Sequence, residues 1–325
     1  MRSLIQSKHR HDSFENMKMT FRATGLRAGA AMAFVVLLAA SYTLIGQRGG
    51  VEAFEVDANR TADLPTGKEA DDIIGDFVIR NEKIHALISG NLPDRRANMS
   101  TEYAGITPGS LYDLDLRGAA NDQITAFRPG QLLGPVSWVR IVKDGRDGEA
   151  VLESVRTAAA GRGLYVRHEY KIAAGWQHLL VTSTWRNESR QALEITPQPA
   201  WKEFSTRWDE GKIHVGDAID AFDKRGYAWV ELSGAFPEKM SLAPGAEHTA
   251  QLALAVADSP LAAYGVAAAL QGATGTVTGV LRNADHAAVL VEVGGKPIPA
   301  YPAADGRFRF QLPVGTYTAR FEDIG

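Results

Sequence analysis

One uncharged stretch, residues 28–46 (AGAAMAFVVLLAASYTLIG), constrains this chain more than any other feature, and nothing later in the 325 residues matches it. A spanning helix needs roughly 20 apolar residues, so the stretch is long enough to cross a bilayer. Its flanks are unequal: Arg2, Lys8, Arg10, Lys18, Arg22 and Arg27 precede it against only Asp12 and Glu15, while Arg48 and then Glu52, Glu55 and Asp57 follow. Basic residues stay on the cytoplasmic side. The expected topology is a single-pass membrane anchor, with the N-terminus in the cytoplasm and the long C-terminal part outside it. The alternative is a cleaved secretory signal, for which Val51-Glu52-Ala53 offers small residues at the cut. The apolar core exceeds the usual signal length of about 7–15 residues, which favours the anchor. Both readings export the remainder, the second as a secreted protein.

There is no cysteine, which excludes disulfides, thiolate metal sites and covalent haem attachment. An exported domain without disulfides must be held by its own core. The formal net charge is −3, and no basic stripe follows the apolar segment, so nucleic acid is not an expected partner.

The predicted organisation is a basic tail (1–27), the signal-anchor (28–46), a linker (47–72), an antiparallel β-sandwich (73–257), a connector helix (258–272) and a small β unit (273–325). The tail is expected to lack structure. Its His9-Arg10-His11-Asp12 run has too few converging ligands for a metal. Phe77–Arg80 and Lys83–Ser89 read as a hairpin around Asn81-Glu82. In LYDLDLR, Tyr112, Leu114 and Leu116 fall on one face and Asp113, Asp115 and Arg117 on the other. Ser137–Val142 pairs with Glu149–Thr157, Leu164–Ile172 with Gln177–Arg186, and Thr249–Val256 is the last strand of the sandwich. Ser259 suits an N-cap, Pro260 the first turn and Gly272 the stop of a helix between two β domains. In the small unit three apolar rows are expected to face inward: Val289, Val291 and Val293; Phe308, Phe310 and Leu312; and Tyr317, Ala319 and Phe321. About five strands fit where a two-layer sandwich has about seven, so the chain is expected to end inside a domain.

Two resemblances follow from these residues. Gly275-Thr-Val-Thr-Gly279, Asp305-Gly306-Arg-Phe-Arg-Phe310 and Leu312-Pro313-Val-Gly315-Thr-Tyr317 resemble a carboxypeptidase regulatory-like domain. That family has a transthyretin-like sandwich used as an accessory module. Gly75-Asp-Phe-Val-Ile-Arg-Asn81, Asn91-Leu-Pro-Asp-Arg-Arg-Ala-Asn-Met99, Gly109-Ser-Leu-Tyr-Asp113 and Asn121-Asp122-Gln123 resemble the N-terminal β region of exported CehA/McbA-type metallohydrolases. In that family the β region precedes a catalytic PHP domain that binds metals from a His-x-His pair onward. The chain has no such pair after the apolar segment. The resemblance therefore implies an accessory region with the catalytic domain absent, and no catalytic residue, metal site or cofactor is assigned.

The candidate ligand-binding residues are Arg95, Arg96 and Asn98 in one polar loop and Asn121, Asp122 and Gln123 in another. If the loops meet, bidentate guanidiniums and amides could grip a small molecule. The alternative is a buried polar network that holds irregular loops. Trp201 and Trp208 bracket Glu203, Arg207, Asp209 and Glu210 and could form an aromatic platform for a carbohydrate, or simply core. Read as a glycosidase pair, Glu203 and Asp209 have no defined separation. His168 lies on the apolar side of its strand and reads as a core histidine. The expected protein is an all-β, exported, membrane-anchored accessory or ligand-binding region. A stand-alone carbohydrate-binding sandwich and a structural envelope scaffold are the alternatives.

Overall fold

The computed structural model describes residues 19–23, 50–67, 70–92, 108–119, 122–124, 126–130, 136–201, 207–217, 225–281 and 287–323. The apolar segment 28–46 lies outside them. No helix among the described residues is long and apolar enough to cross a membrane.

The described residues form strands, one α-helix and a short 3-10 turn at Thr61–Asp63. In order they are β1 (Met19–Ala23), β2 (Glu52–Glu55), β3 (Phe77–Arg80), β4 (Ile84–Ile88), β5 (Leu111–Leu116), β6 (Trp138–Asp144), β7 (Glu149–Arg156), β8 (Leu164–Ala173), β9 (His178–Asn187) and β10 (Leu193–Ile195). Then come β11 (Arg207–Glu210), β12 (Ile213–Asp217), β13 (Gly226–Ser233), β14 (Met240–Leu242), β15 (Glu247–Ala257), α1 (Pro260–Gln271), β16 (Thr274–Val280), β17 (Ala287–Val293), β18 (Lys296–Ala300), β19 (Arg307–Pro313) and β20 (Gly315–Asp323).

An eight-stranded antiparallel sheet, in the order β11-β12-β13-β15-β9-β8-β7-β6, faces a four-stranded sheet, β2-β3-β4-β5. The strict alternation of β8 makes the packing legible: Val166, His168, Tyr170 and Ile172 are buried, and Arg167, Glu169 and Lys171 are partly exposed. The inward rows meet Ile79, Ala86 and Leu114 from the smaller sheet in one core, with Leu152, Val181, Trp185, Leu252 and Leu254. Beyond β9 the other face of the large sheet is a polar lattice. There Glu153 accepts from Arg140 Nε and Arg167 Nε, each at 2.7 Å, and from Trp138 Nε1 at 3.2 Å.

The opposite half of that face is covered. The helix α1 starts where Ser259 accepts from Ala262 N–H and Pro260 opens the first turn, and Gly272 caps its end. It does more than connect two domains. Leu261, Ala263, Tyr264, Ala267 and Ala268 share a second core with Ile213, Val215, Ala228, Val230 and Ala253 of the large sheet. The same core holds Val289, Val291, Val293, Phe310, Leu312 and Ala319 of the terminal unit. The helix is Ala-rich because both sides must approach closely. The terminal unit comprises a four-stranded sheet, β1-β20-β17-β18, and the β16-β19 pair.

Two segments depart from expectation. Part of the basic tail, expected to lack structure, forms β1 and pairs with β20 from Met19 opposite Ala319 to Ala23 opposite Gly315. The segment expected as a linker supplies β2 and then folds over the small sheet. Val56 N–H donates to Asp76 O at 2.8 Å, and Val56 and Leu64 pack on Phe54, Val78, Leu87 and Tyr112. The apolar residues Phe54, Val56 and Leu64 in an otherwise polar stretch are the physical reason.

Candidate functional site

Residues 56–67 and 70–76 lie over the outer face of the four-stranded sheet and bury most of it, and that face carries a row of charges. The register places Glu52 opposite Arg80, Arg80 opposite His85, and His85 opposite Asp115, so four ionisable side chains form one cross-strand row. Asp113 and Asp115, read from alternation as a polar face, are fully buried there. Tyr112 joins this side too, because the β4–β5 register shifts between Leu87 and Ile88.

The row is bonded at both ends. Glu52 accepts from Arg80 Nε at 2.6 Å and Arg60 Nη2 at 3.1 Å, and Asp63 accepts from Arg60 Nε at 2.9 Å and Arg80 Nη2 at 3.0 Å. Arg60 stacks 3.3 Å above the Phe54 ring. At the other end Arg225 Nε donates to Asp115 at 2.9 Å and its Nη1 to Asp258 at 3.2 Å. Between them, burial and then the charges of Arg117 and Arg80 push His85 down to about 4, so its ring is neutral at pH 7.

The candidate residues Asp122 and Gln123 lie beside this row. Gln123 N–H donates to the buried Tyr227 hydroxyl at 3.1 Å. Asp122 Oδ1 accepts from Leu114 N–H at 3.0 Å, and Asp113 Oδ1 accepts from Asp71 N–H at 3.2 Å. Each carboxyl's Oδ2 lacks a hydrogen-bond donor from any other residue. Burial drives both carboxyls well above the carboxylate range, with Asp72 adding to Asp113 and Asp113 adding to Asp122. Two buried like charges in contact share a proton. The folded state thus holds a proton that the unfolded chain has lost above pH 4, and stability from this pair declines as pH rises. Asp122→Asn keeps the acceptor for Leu114 and lets an amide N–H donate to Asp113 in place of the shared proton. We expect it to stabilise the fold at pH 7 by about 1–3 kcal/mol. Without the pair's opposing contribution, urea unfolding should also show a larger gain in stability from pH 5 to pH 7 than in the parent, and a loss of stability would contradict the shared proton.

Arg95, Arg96, Asn98 and Asn121 lie outside the described residues, as does Glu203. Trp201 and Trp208 do not form one platform. Trp201 is 6% exposed in the sandwich core, edge-on to Phe127 at 5.9 Å, while Trp208 packs against the second core. The strand β11 carries Trp208 towards the helix, and alternation turns Asp209 the other way. There Asp209 bonds His214 Nδ1 at 2.7 Å, and His214 stacks on Trp229 at 3.7 Å. His168 is a core histidine, bonded through Nδ1 to Ser183 at 2.7 Å and pushed down by burial to about 3. Among the described residues no three His, Asp or Glu side chains converge to hold a metal. The metal chemistry implied by the hydrolase resemblance therefore finds no ligand set in them.

Sequence reasoning missed Arg80, His85, Asp113, Asp115, Arg117 and Arg225. The available signal was LYDLDLR beside Lys83-Ile-His85, where charges occupy every second position of two adjacent strands.

No family model matches the sequence, and no curated protein matches it. Solved structures share low similarity with it. A TPR-domain containing protein from Parabacteroides distasonis is 12% identical, with a TM-score of 0.39, over 58% of this chain and 48% of that one. Heparan sulfate lyase HepC from Pedobacter heparinus is 10% identical, with a TM-score of 0.38, over 72% and 42%. The GH36 alpha-galactosidase AgaA from Geobacillus stearothermophilus is 12% identical, with a TM-score of 0.35, over 58% and 41%. This chain therefore spans less than half the length of these solved chains, and it is all-β in architecture.

Proposed function

We propose that this chain is the ligand-binding, non-catalytic front region of a larger exported protein, anchored in the membrane by residues 28–46. The CehA/McbA-type metallohydrolases are the pattern for the remainder. The observation that carries the ligand-binding reading is the ionic row Glu52–Arg80–His85–Asp115 on the outer face of the small sheet, buried at Arg80, His85 and Asp115. An outer sheet face is ordinarily solvated. Burying charges costs free energy unless they are paired, and such investment concentrates at functional sites. The carboxylates at the ends of this row are held by guanidiniums, which suits recognition better than proton transfer.

The test has two arms on the full chain. Thermal unfolding in a panel of neutral and acidic sugars and small carboxylates should reveal at least one stabilising compound, and no compound should be turned over. No shift across the panel, or turnover of any compound, would overturn this reading. The anchor is tested separately. A single crossing by 28–46 puts a bilayer between β1 and β20, so their pairing belongs to a chain that has not crossed. The chain has no cysteine, and Thr20 stands opposite Thr318. Thr20→Cys with Thr318→Cys should yield no disulfide in the membrane fraction. A disulfide in exported protein would rule out the single crossing.

A further inference from the structure

One corner of the same face carries cations without matching anions. The β4–β5 ladder continues for one more hydrogen bond, Arg117 N–H to Lys83 O at 2.7 Å, so Lys83 and Arg117 stand opposite each other. Like charges directly opposite across strands are destabilising. Two positions along on the same side lies His85, 7% exposed, whose Nε2 has no hydrogen-bond partner. The carboxylates nearby are engaged elsewhere: Glu52 and Asp63 by Arg60 and Arg80, and Asp115 by Arg225. Among the described residues no carboxylate or carbonyl pairs with the Arg117 guanidinium or the Lys83 ammonium, and both residues are exposed at the mouth of the corner.

We propose that Lys83, His85 and Arg117 bind an oxyanion, the carboxylate or sulfate group of an acidic ligand. Arg117 supplies a planar fork of donors, Lys83 a point charge, and His85, as the neutral Nε2–H tautomer, a buried donor at the back. Arg80 lies behind His85 and adds positive potential while keeping its own ion pairs. The oxyanion relieves the opposed charges of Lys83 and Arg117 and satisfies the His85 nitrogen. This inference rests on reading the face as a ligand-binding face and names the chemistry it would select.

The experiment is an NMR titration of the full chain with sodium sulfate, sodium glucuronate and glucose, at ionic strength matched with sodium chloride. Sulfate and glucuronate are expected to shift the His85 ring signals while chloride and glucose do not. The stronger of the two identifies whether sulfate or carboxylate is preferred. A bound anion should also raise the pH at which His85 titrates. Arg117→Gln should weaken both anions at least tenfold and Lys83→Gln severalfold; both side chains are exposed, so either variant alone serves if the other fails to fold. Anion affinity unchanged in both variants would overturn the site. So would binding of glucose without either anion, which would leave the face as a ligand-binding one. Absence of any stabilising compound in the wider panel would instead remove the ligand-binding reading itself.

Discussion

Lowering the pH from 7 to 4.5 is expected to unfold this protein or bring it close to unfolding. Burial pushes His85 and His178 down to about 4, with Arg117 and Arg80 adding to the effect at His85, and pushes His168 down to about 3. In the unfolded chain each titrates near 6.5. Below that pH the unfolded state takes up protons that the folded state refuses, so stability falls from about pH 6.5 until the folded values are reached. Between pH 6.5 and pH 4.5 each such histidine costs roughly 2–3 kcal/mol. Three such groups together approach the whole stability of a typical domain, about 5–15 kcal/mol. The Asp113–Asp122 pair acts in the opposite sense and offsets part of this loss. Urea midpoints at pH 7.0 and pH 5.0 measure the effect. The double variant His85→Gln with His178→Gln should lose most of the difference, and equal midpoints in the parent would refute it.

The second large effect is expected at Gly265, in the middle of α1. Glycine to alanine inside a helix ordinarily stabilises by about 1 kcal/mol. Here the sign reverses. A Cβ on Gly265 would lie 2.4 Å from Gln311 O and 2.9 Å from Gln311 N, backbone atoms of β19 that cannot turn aside. Overpacking of this kind costs about 1–3 kcal/mol, so Gly265→Ala should destabilise the fold. Gly265→Leu should force β19 off the helix and open the second core. Urea unfolding would then become biphasic, and limited proteolysis would cut between the sandwich and the terminal unit. A variant as stable as the parent, with one transition, would show that the helix and the terminal unit do not pack as one body.

Much of the strand framework is legible from residues alone. Alternation in Leu164–Ile172 and Gln177–Arg186, the turn around Ala174-Gly175 and the sequence Ser259-Pro260 to Gly272 mark elements that local rules suffice to form. The inward rows of the terminal unit are likewise readable, since Val289, Val291 and Val293 and their partners enter one core. The site is a different matter. Alternation assigns Asp113, Asp115 and Arg117 to one face, but it does not say whether that face meets water. That depends on where residues 56–67 and 70–76 travel, and Gly67 bridging Asp122 is a contact 55 positions distant. Trp201 and Trp208 are seven positions apart, and the sequence invites one platform, yet they enter separate cores because β11 lies at the edge where the large sheet turns its back to the helix.

By itself, then, the sequence determines the all-β class, the capped helix that opens at Ser259-Pro260 and the side of each strand that is apolar, because these follow from backbone periodicity and capping over a few residues. Only the tertiary structure decides that a polar strand face is covered, that Lys83 and Arg117 oppose each other beside a buried His85, and that the helix is shared core. Those outcomes depend on contacts between segments tens of residues apart, where burial turns an ordinary surface charge into a costly one and so into a candidate site.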